Sequence, residues 1–171
     1  MTPAWMRLAD ESAAPSPALL VFPDRIEENL RRMIALAGGP QRLRPHLKTH
    51  KLPQLIALQA RLGITRCKAA TIAEAEMAAG AGATDITLST QPVGPNAARL
   101  VALIRAFPSV AFSTIADDPD AVDALARVAA EAGVVVEVLV DLDVGMARTG
   151  IAPGPEAAQL YRRIAAARSL R

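Results

Sequence analysis

Apolar runs typical of buried strands alternate along this chain with segments whose apolar residues recur at helical spacing. The first run, residues 17–22, predicts a strand, and Asp24 is placed to cap the helix that follows. That helix should end at the glycines and proline of residues 38–40. Five further strands are predicted, each followed by a helix, at residues 43–48, 65–70, 85–89, 110–115 and 134–141. Alternation at this spacing predicts βα units and a parallel sheet.

Two parallel architectures fit this order, a doubly wound sheet and an eight-stranded barrel. No Gly-x-Gly-x-x-Gly follows any predicted strand, which counts against a dinucleotide-binding sheet. Polar residues gather where the strands end, and in a barrel that end holds the active site. The strands themselves are apolar nearly throughout, as expected when both faces of a sheet are covered. The pattern therefore favours an α/β fold, a partial (β/α) barrel of the TIM type.

After the initial strand and helix, five βα units remain, and five units cannot close an eight-stranded barrel, so about five of the eight units are expected here. A sixth strand could begin at residues 169–171, and residues 134–141 should leave an exposed strand edge. We divide the chain into an N-terminal tail, residues 1–16, and a partial barrel domain, residues 17–171. The expectation is a partial chain, or one that needs a complementing chain.

Composition and charge narrow the classes of function. A formal charge of +2 is too small to predict binding to nucleic acid or to a membrane surface. The single cysteine, Cys67, excludes an internal disulfide and a zinc cluster of cysteines. No apolar run approaches the ~18 residues that span a bilayer, and no signal peptide is evident, so a cytoplasmic protein is expected.

The segment Arg-Pro-His-Leu-Lys-Thr-His-Lys, residues 44–51, concentrates the candidate chemistry. The chain has three lysines and two histidines, and four of these five residues lie between positions 46 and 51. Lysine acts as a nucleophile once its pKa falls, whereas arginine stays protonated. Read as a strand, the segment places His46, Lys48 and His50 on one face. On composition alone, a basic surface turn is an equal alternative.

A second candidate segment follows the most strongly β-forming run. Residues 141–150 contain two aspartates, a glycine turn and Arg148, whose planar guanidinium could hold a phenolate or carboxylate oxygen. A helix-start loop with ordinary surface charge is the alternative.

In these two segments the chain resembles the D-threonine aldolase and eukaryotic-type D-serine dehydratase family. The members of that family are pyridoxal-phosphate enzymes of the alanine racemase fold type. The resemblance runs from about Pro17 to the C-terminus and is most specific in residues 44–51. Further matches lie at residues 17–21, 28–30, 73–76, 93–95 and 143–150.

The resemblance implies roles for single residues. Lys48 matches the lysine that binds pyridoxal 5'-phosphate as a Schiff base, and Arg148 matches the arginine near the cofactor ring oxygen. His46 and His50 lie in the same motif and are expected to line the site. The initial strand would pair with the family's β-rich second domain.

The implied activity is that of a lyase acting on D-β-hydroxy amino acids, with retro-aldol cleavage of D-threonine slightly preferred. The alternatives are deamination like that of D-serine dehydratase and an inactive partial barrel. The family also implies a divalent metal and a homodimer. Its metal ligands and most of its phosphate contacts belong to regions beyond those matched here, so weak cofactor binding is expected.

Overall fold

The computed structural model describes residues 3–171, and its centre is a four-stranded parallel sheet. The strands neighbour one another in chain order and are Arg66–Ala69 (β1), Asp85–Leu88 (β2), Ala111–Ala116 (β3) and Glu137–Val140 (β4). The α-helices are Pro23–Ala37 (α1), Pro53–Arg61 (α2), Ile72–Gly80 (α3), Pro95–Ala106 (α4), Pro119–Glu131 (α5) and Pro155–Ala166 (α6). Parallel strands in unbroken chain order are the arrangement of a barrel, whereas a doubly wound sheet reverses its order. The predicted partial barrel is therefore confirmed.

Single residues extend the sheet on both sides. His46 forms a parallel bridge with Lys68 of β1, and Leu170 forms one with Val136, just before β4. Residues 169–171 thus begin to pair where a sixth strand was predicted, and the Arg171 amide donates to the Val136 carbonyl at 3.0 Å. They cover only the start of the β4 edge, and Leu139 farther along stays exposed.

The strand predicted at residues 43–48 is wrong: only His46 pairs with the sheet, through its single bridge to Lys68. Residues Leu47–Thr49 form a single turn of 3-10 helix instead. The Lys48 amide donates to His46 Nδ1 at 3.3 Å, a local bond that competes with strand pairing. Leu47 is fully buried beneath this turn, which fixes the turn against the core.

The strand predicted at residues 17–22 is also wrong. No described segment pairs with it, and a strand without a partner leaves its backbone groups unpaired. The predicted cap by Asp24 is wrong too, because helix α1 starts at Pro23 and its cap position is Phe22. Asp24 lies in the first helical turn, where its charge still favours the helix dipole.

Part of the predicted tail packs against the domain. Trp5 meets Phe22 edge to face at 5.2 Å between ring centroids, and the Arg25 guanidinium lies 3.7 Å above the Trp5 ring. Met1 and Thr2 of that tail lie outside the described residues.

Helix α3 begins with a side-chain cap. Thr71 Oγ1 accepts from the Glu74 amide at 3.1 Å, at the start of α3. Glu74 in turn accepts from the Ala70 amide at 2.7 Å, one residue earlier than a capping box requires.

The two faces of the sheet differ in character. One face packs on the helices through an apolar core that includes Ile86, Leu100 and Leu125. On the other face a polar row runs across the strands in register: Lys68, Thr87, Ser113 and Glu137. The expectation that both faces are apolar is wrong for this inner face, where the Thr87 and Ser113 hydroxyls hydrogen-bond each other at 2.9 Å.

Candidate active site

A cavity of about 570 Å³ opens at the carboxyl end of the sheet, in the size range of small-molecule sites. Its lining includes His46, Lys48 and Arg148, three of the four residues singled out from the sequence. They come from two segments about one hundred positions apart, which the parallel order of the strands brings to one edge. The prediction that strand ends converge on a site thus agrees with the geometry.

Lys48 reaches this cavity from the 3-10 turn at Leu47–Thr49. Leu47 points into the core, so Lys48 faces outward from the turn and is exposed. The neighbouring Lys51 does not line the cavity; it pairs with the Glu74 carboxylate at 3.4 Å. Lys48 is therefore the candidate nucleophile, whereas Lys51 takes part in an ion pair outside the cavity.

His46 lies beside Lys48 and is neutral near pH 7. Burial lowers the pKa of its imidazole, and the positive charges of Lys48 and Lys68 lower it further. Its Nδ1 accepts the Lys48 amide, and its Nε2 lies 3.4 Å from Ser89 Oγ. The imidazole therefore helps to hold the turn that presents Lys48.

His50 is not brought to this cavity. It lines a separate cavity of about 670 Å³ together with Trp5 and the apolar segment 19–22. Its Nδ1 accepts from the Leu52 amide at 3.1 Å. Its Nε2 is buried and has no hydrogen-bond partner among residues 3–171. The prediction that His46, Lys48 and His50 lie on one face is wrong, because the backbone between His46 and His50 is helical, not extended.

Arg148 is held by a loop that Asp143 organises. The Asp143 carboxylate accepts from the amides of Gly145 and Ala147, both at 2.9 Å, and these bonds lower its pKa. Ala147 has a positive φ of 52°, uncommon for alanine, so the turn before Arg148 is tightly specified.

The same loop is tied to the sheet at its far end. Asp117, just after β3, accepts from the Gly150 amide at 2.8 Å. The Gln91 side-chain oxygen accepts from the amides of Asp117 and Asp118 at 2.8 and 3.1 Å. A chain of hydrogen bonds therefore runs from the end of β2 through the end of β3 to the Arg148 loop.

Sequence reasoning missed Lys68 and Asp117 as cavity residues. Both line the cavity, together with Gln91 and Asp141. Lys68 could have been identified, because it is one of three lysines and lies near a strand end. The hydrogen bond between Asp117 and Gly150 joins residues 33 positions apart, and no sequence pattern predicts it.

The arrangement combines an amine, a planar guanidinium and a neutral imidazole in one cavity. An amine can form a Schiff base with a carbonyl compound, and the guanidinium can bind an anionic oxygen. Within residues 3–171, no group of three histidine, cysteine, aspartate or glutamate side chains is placed to hold a metal ion. Cys67 is buried in the core, and burial raises the pKa of its thiol to about 12.

Several known proteins are similar to this chain in sequence and in fold. A D-threonine aldolase from an Arthrobacter species is 33% identical over 137 residues, which cover 80% of this chain and 36% of that protein. The crystal structure of D-threonine aldolase from Filomicrobium marinum superposes with a TM-score of 0.83 at 32% identity, covering 92% of this chain and 42% of that one. The structure of D-threo-3-hydroxyaspartate dehydratase from Delftia sp. HT23 gives a TM-score of 0.71 at 29% identity, covering 88% and 39%.

This chain therefore spans about two-fifths of the length of these relatives. The family model of the alanine racemase N-terminal domain matches residues 21–171, which contain the whole sheet and every residue of the cavity. The chain belongs to the alanine racemase N-terminal domain family.

Proposed function

We propose that the cavity binds pyridoxal 5'-phosphate through Lys48, and that the chain provides this site for a lyase acting on D-β-hydroxy amino acids. The reaction we favour is retro-aldol cleavage, as of D-threonine to glycine and an aldehyde. The observation that supports this best is the meeting of Lys48, His46 and Arg148 at one cavity, in a chain 33% identical to a D-threonine aldolase.

The residues present fit this cofactor. Its aldehyde requires an accessible amine, and Lys48 is exposed to the cavity. Its ring bears an anionic oxygen, for which Arg148 offers a planar pair of donors. A cavity of about 570 Å³ also has room for a molecule of this size beside an amino acid.

The chemistry that pyridoxal phosphate supplies when bound is electron withdrawal from the substrate α-carbon. The protein contributes position and charge. Lys48 would hold the cofactor aldehyde through its amine, and Arg148 would hold an anionic oxygen. His46 stays neutral, holds the Lys48 turn by its Nδ1, and can transfer a proton at Nε2.

Deamination is the second candidate, supported by the likeness to the D-threo-3-hydroxyaspartate dehydratase. The two reactions differ in which bond at the α-carbon breaks and therefore in products. An aldolase releases glycine and an aldehyde, whereas a dehydratase releases a 2-oxo acid and ammonia. Product analysis with D-threonine and 3-hydroxy-D-aspartate separates them.

The divalent metal, the homodimer and the cytoplasmic location implied earlier stay predictions. Among residues 3–171, no helix is both long enough and apolar enough to cross a membrane.

The cofactor proposal is tested by adding pyridoxal phosphate to the purified chain. A Schiff base should give an absorption band near ~420 nm that is lost in Lys48→Ala. Lys51→Ala is the matched control, because it removes a lysine three positions away that lies outside the cavity. A band of equal strength in Lys48→Ala, or no band in the unmodified chain, would contradict the proposal.

A further inference from the structure

Lys68 is a half-buried cation that points into the same cavity as Lys48 and Arg148. It lies in β1, in register with Thr87 of β2, so its stem begins on the inner face of the sheet. Lys48 and Arg148 are exposed, whereas Lys68 is less accessible than either. A half-buried amine that lines a cavity is suited to bind an anion there.

No protein carboxylate fills that role directly. Among residues 3–171, no acidic oxygen lies within 4.0 Å of the Lys68 amine. Two acidic residues on the inner face are used elsewhere. Asp85 forms a bidentate pair with Arg44 at 2.7 Å, and Glu137 lies 3.5 Å from Arg171.

The carboxylates of the cavity itself do not neutralise its cations. Asp117 and Asp141 face three cationic side chains there, and Asp117 is already engaged by the Gly150 amide. The lining of the cavity therefore has one more cationic than acidic side chain.

We propose that Lys68 is an anion-binding residue of this cavity and holds a carboxylate or phosphate oxygen of the molecule bound there. The proposal rests on the proposed function, since it assumes that cofactor and substrate occupy this cavity. Two sources can supply the oxygen: the cofactor phosphate, or a carboxylate of the substrate. A substrate with a second carboxylate, such as a β-hydroxy-D-aspartate, would suit the excess charge.

The test compares Lys68→Met, which keeps an unbranched stem and removes the charge, with Lys68→Arg, which keeps the charge. Lys51→Met makes the same change outside the cavity and serves as the control. Affinity for pyridoxal phosphate is measured by absorbance. The effect of 3-hydroxy-D-aspartate and of D-threonine on the cofactor band is then titrated.

A loss of cofactor affinity of about tenfold or more in Lys68→Met, largely restored in Lys68→Arg, identifies the cofactor as the source of the anion. Unchanged cofactor affinity with a similar loss for 3-hydroxy-D-aspartate but not for D-threonine identifies the substrate. Unchanged affinity for all three ligands overturns the proposal. That result is distinct from failure of the proposed function, in which the unmodified chain itself forms no cofactor band.

A second measurement on the unmutated chain covers the case in which Lys68→Met does not fold. Lysines dimethylated with ¹³C keep their charge, and three lysines give few NMR signals. Inorganic phosphate should shift the Lys68 signal, assigned with Lys68→Arg, and leave the Lys51 signal unchanged. Equal shifts at both lysines, or none at Lys68, would overturn the inference.

Discussion

The two histidines of residues 44–51 have different surroundings although they are only four positions apart. His46 lies beside two lysines, in the cavity at the carboxyl end of the sheet. His50 contacts the start of α2 and lines a separate cavity. In both, burial is the largest factor that lowers the imidazole pKa below its usual value of about 6.5. For His50 the charge of Glu74 opposes the shift but does not reverse it.

The stability of the fold should therefore fall as the pH drops below about 6.5. A depressed pKa means that the unfolded chain takes up protons at a higher pH than the folded chain. The favourable free energy is thus present above the unfolded pKa and is lost as pH falls through the folded pKa. Urea unfolding at pH 7.5, 6.5 and 5.5, values chosen to span about one unit on either side of the usual histidine pKa, measures this.

His50→Asn isolates one of the two histidines. Its side-chain oxygen can accept the Leu52 amide as Nδ1 does, but asparagine does not titrate. The loss of stability between pH 7.5 and 5.5 should be smaller in this variant than in the unmodified chain, over roughly the window set by an ordinary histidine. An identical pH dependence would show that His50 does not contribute.

Single residues were predictable from the sequence where rarity and position agreed. Lys48 stood out among three lysines, and Arg148 stood out in a glycine-flanked loop. His50 was misplaced because its position depends on one turn of 3-10 helix, which forms through His46 Nδ1 and the burial of Leu47. Lys68 was overlooked because its strand did not differ in pattern from a buried one.

The loop between β4 and α6 is the element that places Arg148. Its two ends are joined by a bridge between Leu142 and Ile151, and Ile151 exchanges hydrogen bonds with Asp141 and Asp143 at 2.9 and 3.0 Å. Gly150 sits inside this closed loop with φ of 98°. A Cβ there would lie 2.5 Å from the Asp143 amide nitrogen, so no side chain fits without movement of the backbone.

Gly150→Ala should destabilise the fold by more than about 2 kcal/mol and weaken cofactor binding, because the loop must open to admit the methyl group. Gly80→Ala is the control, since a Cβ at the end of α3 meets nothing within 4 Å. That variant should be neutral or stabilising, within about 1 kcal/mol. Chemical unfolding and a cofactor titration measure both, and equal stability of the two variants would contradict this account of the loop.

Asp117 ties that loop to the end of β3, and its removal should act through Arg148. In Asp117→Ala the Gly150 amide loses its acceptor, so we expect weaker binding of pyridoxal phosphate, by about threefold to tenfold. Asp120→Ala, in the exposed first turn of α5, is a control with the same charge change. Equal cofactor affinity in both variants would show that the anchor does not position the site.

Helices and central strands were predictable to within a few residues, whereas the first two strands were not. The strands that formed have partners on both sides or a partner and a covering helix. Residues 17–22 have the composition of a strand but no partner among the described residues. Strand formation depends on such pairing, which a local sequence pattern does not reveal.

At the scale of the whole molecule, apolar residues divide between a packed core and an exposed amino-terminal segment. Leu47 is 0% exposed and packs in the main core, whereas Leu19 is 77% exposed beside the second cavity. Burial, not composition, decides what each contributes to stability.

Leu47→Ala should lower the free energy of unfolding by about 2–5 kcal/mol, since it leaves a cavity beneath the Lys48 turn. Leu19→Ala should change it by less than about 0.5 kcal/mol. Urea unfolding of both variants measures the difference. A large loss in Leu19→Ala would show that the amino-terminal segment packs more closely than the structure describes.

The central claim is that Lys48 is the residue that binds the cofactor. It is tested most directly by adding pyridoxal phosphate, reducing the Schiff base with borohydride, and locating the label by peptide mass spectrometry. With three lysines in the chain, the label has few places to go. We predict that it lies on Lys48. A label found mainly on Lys51, Lys68 or the terminal amine would contradict the account.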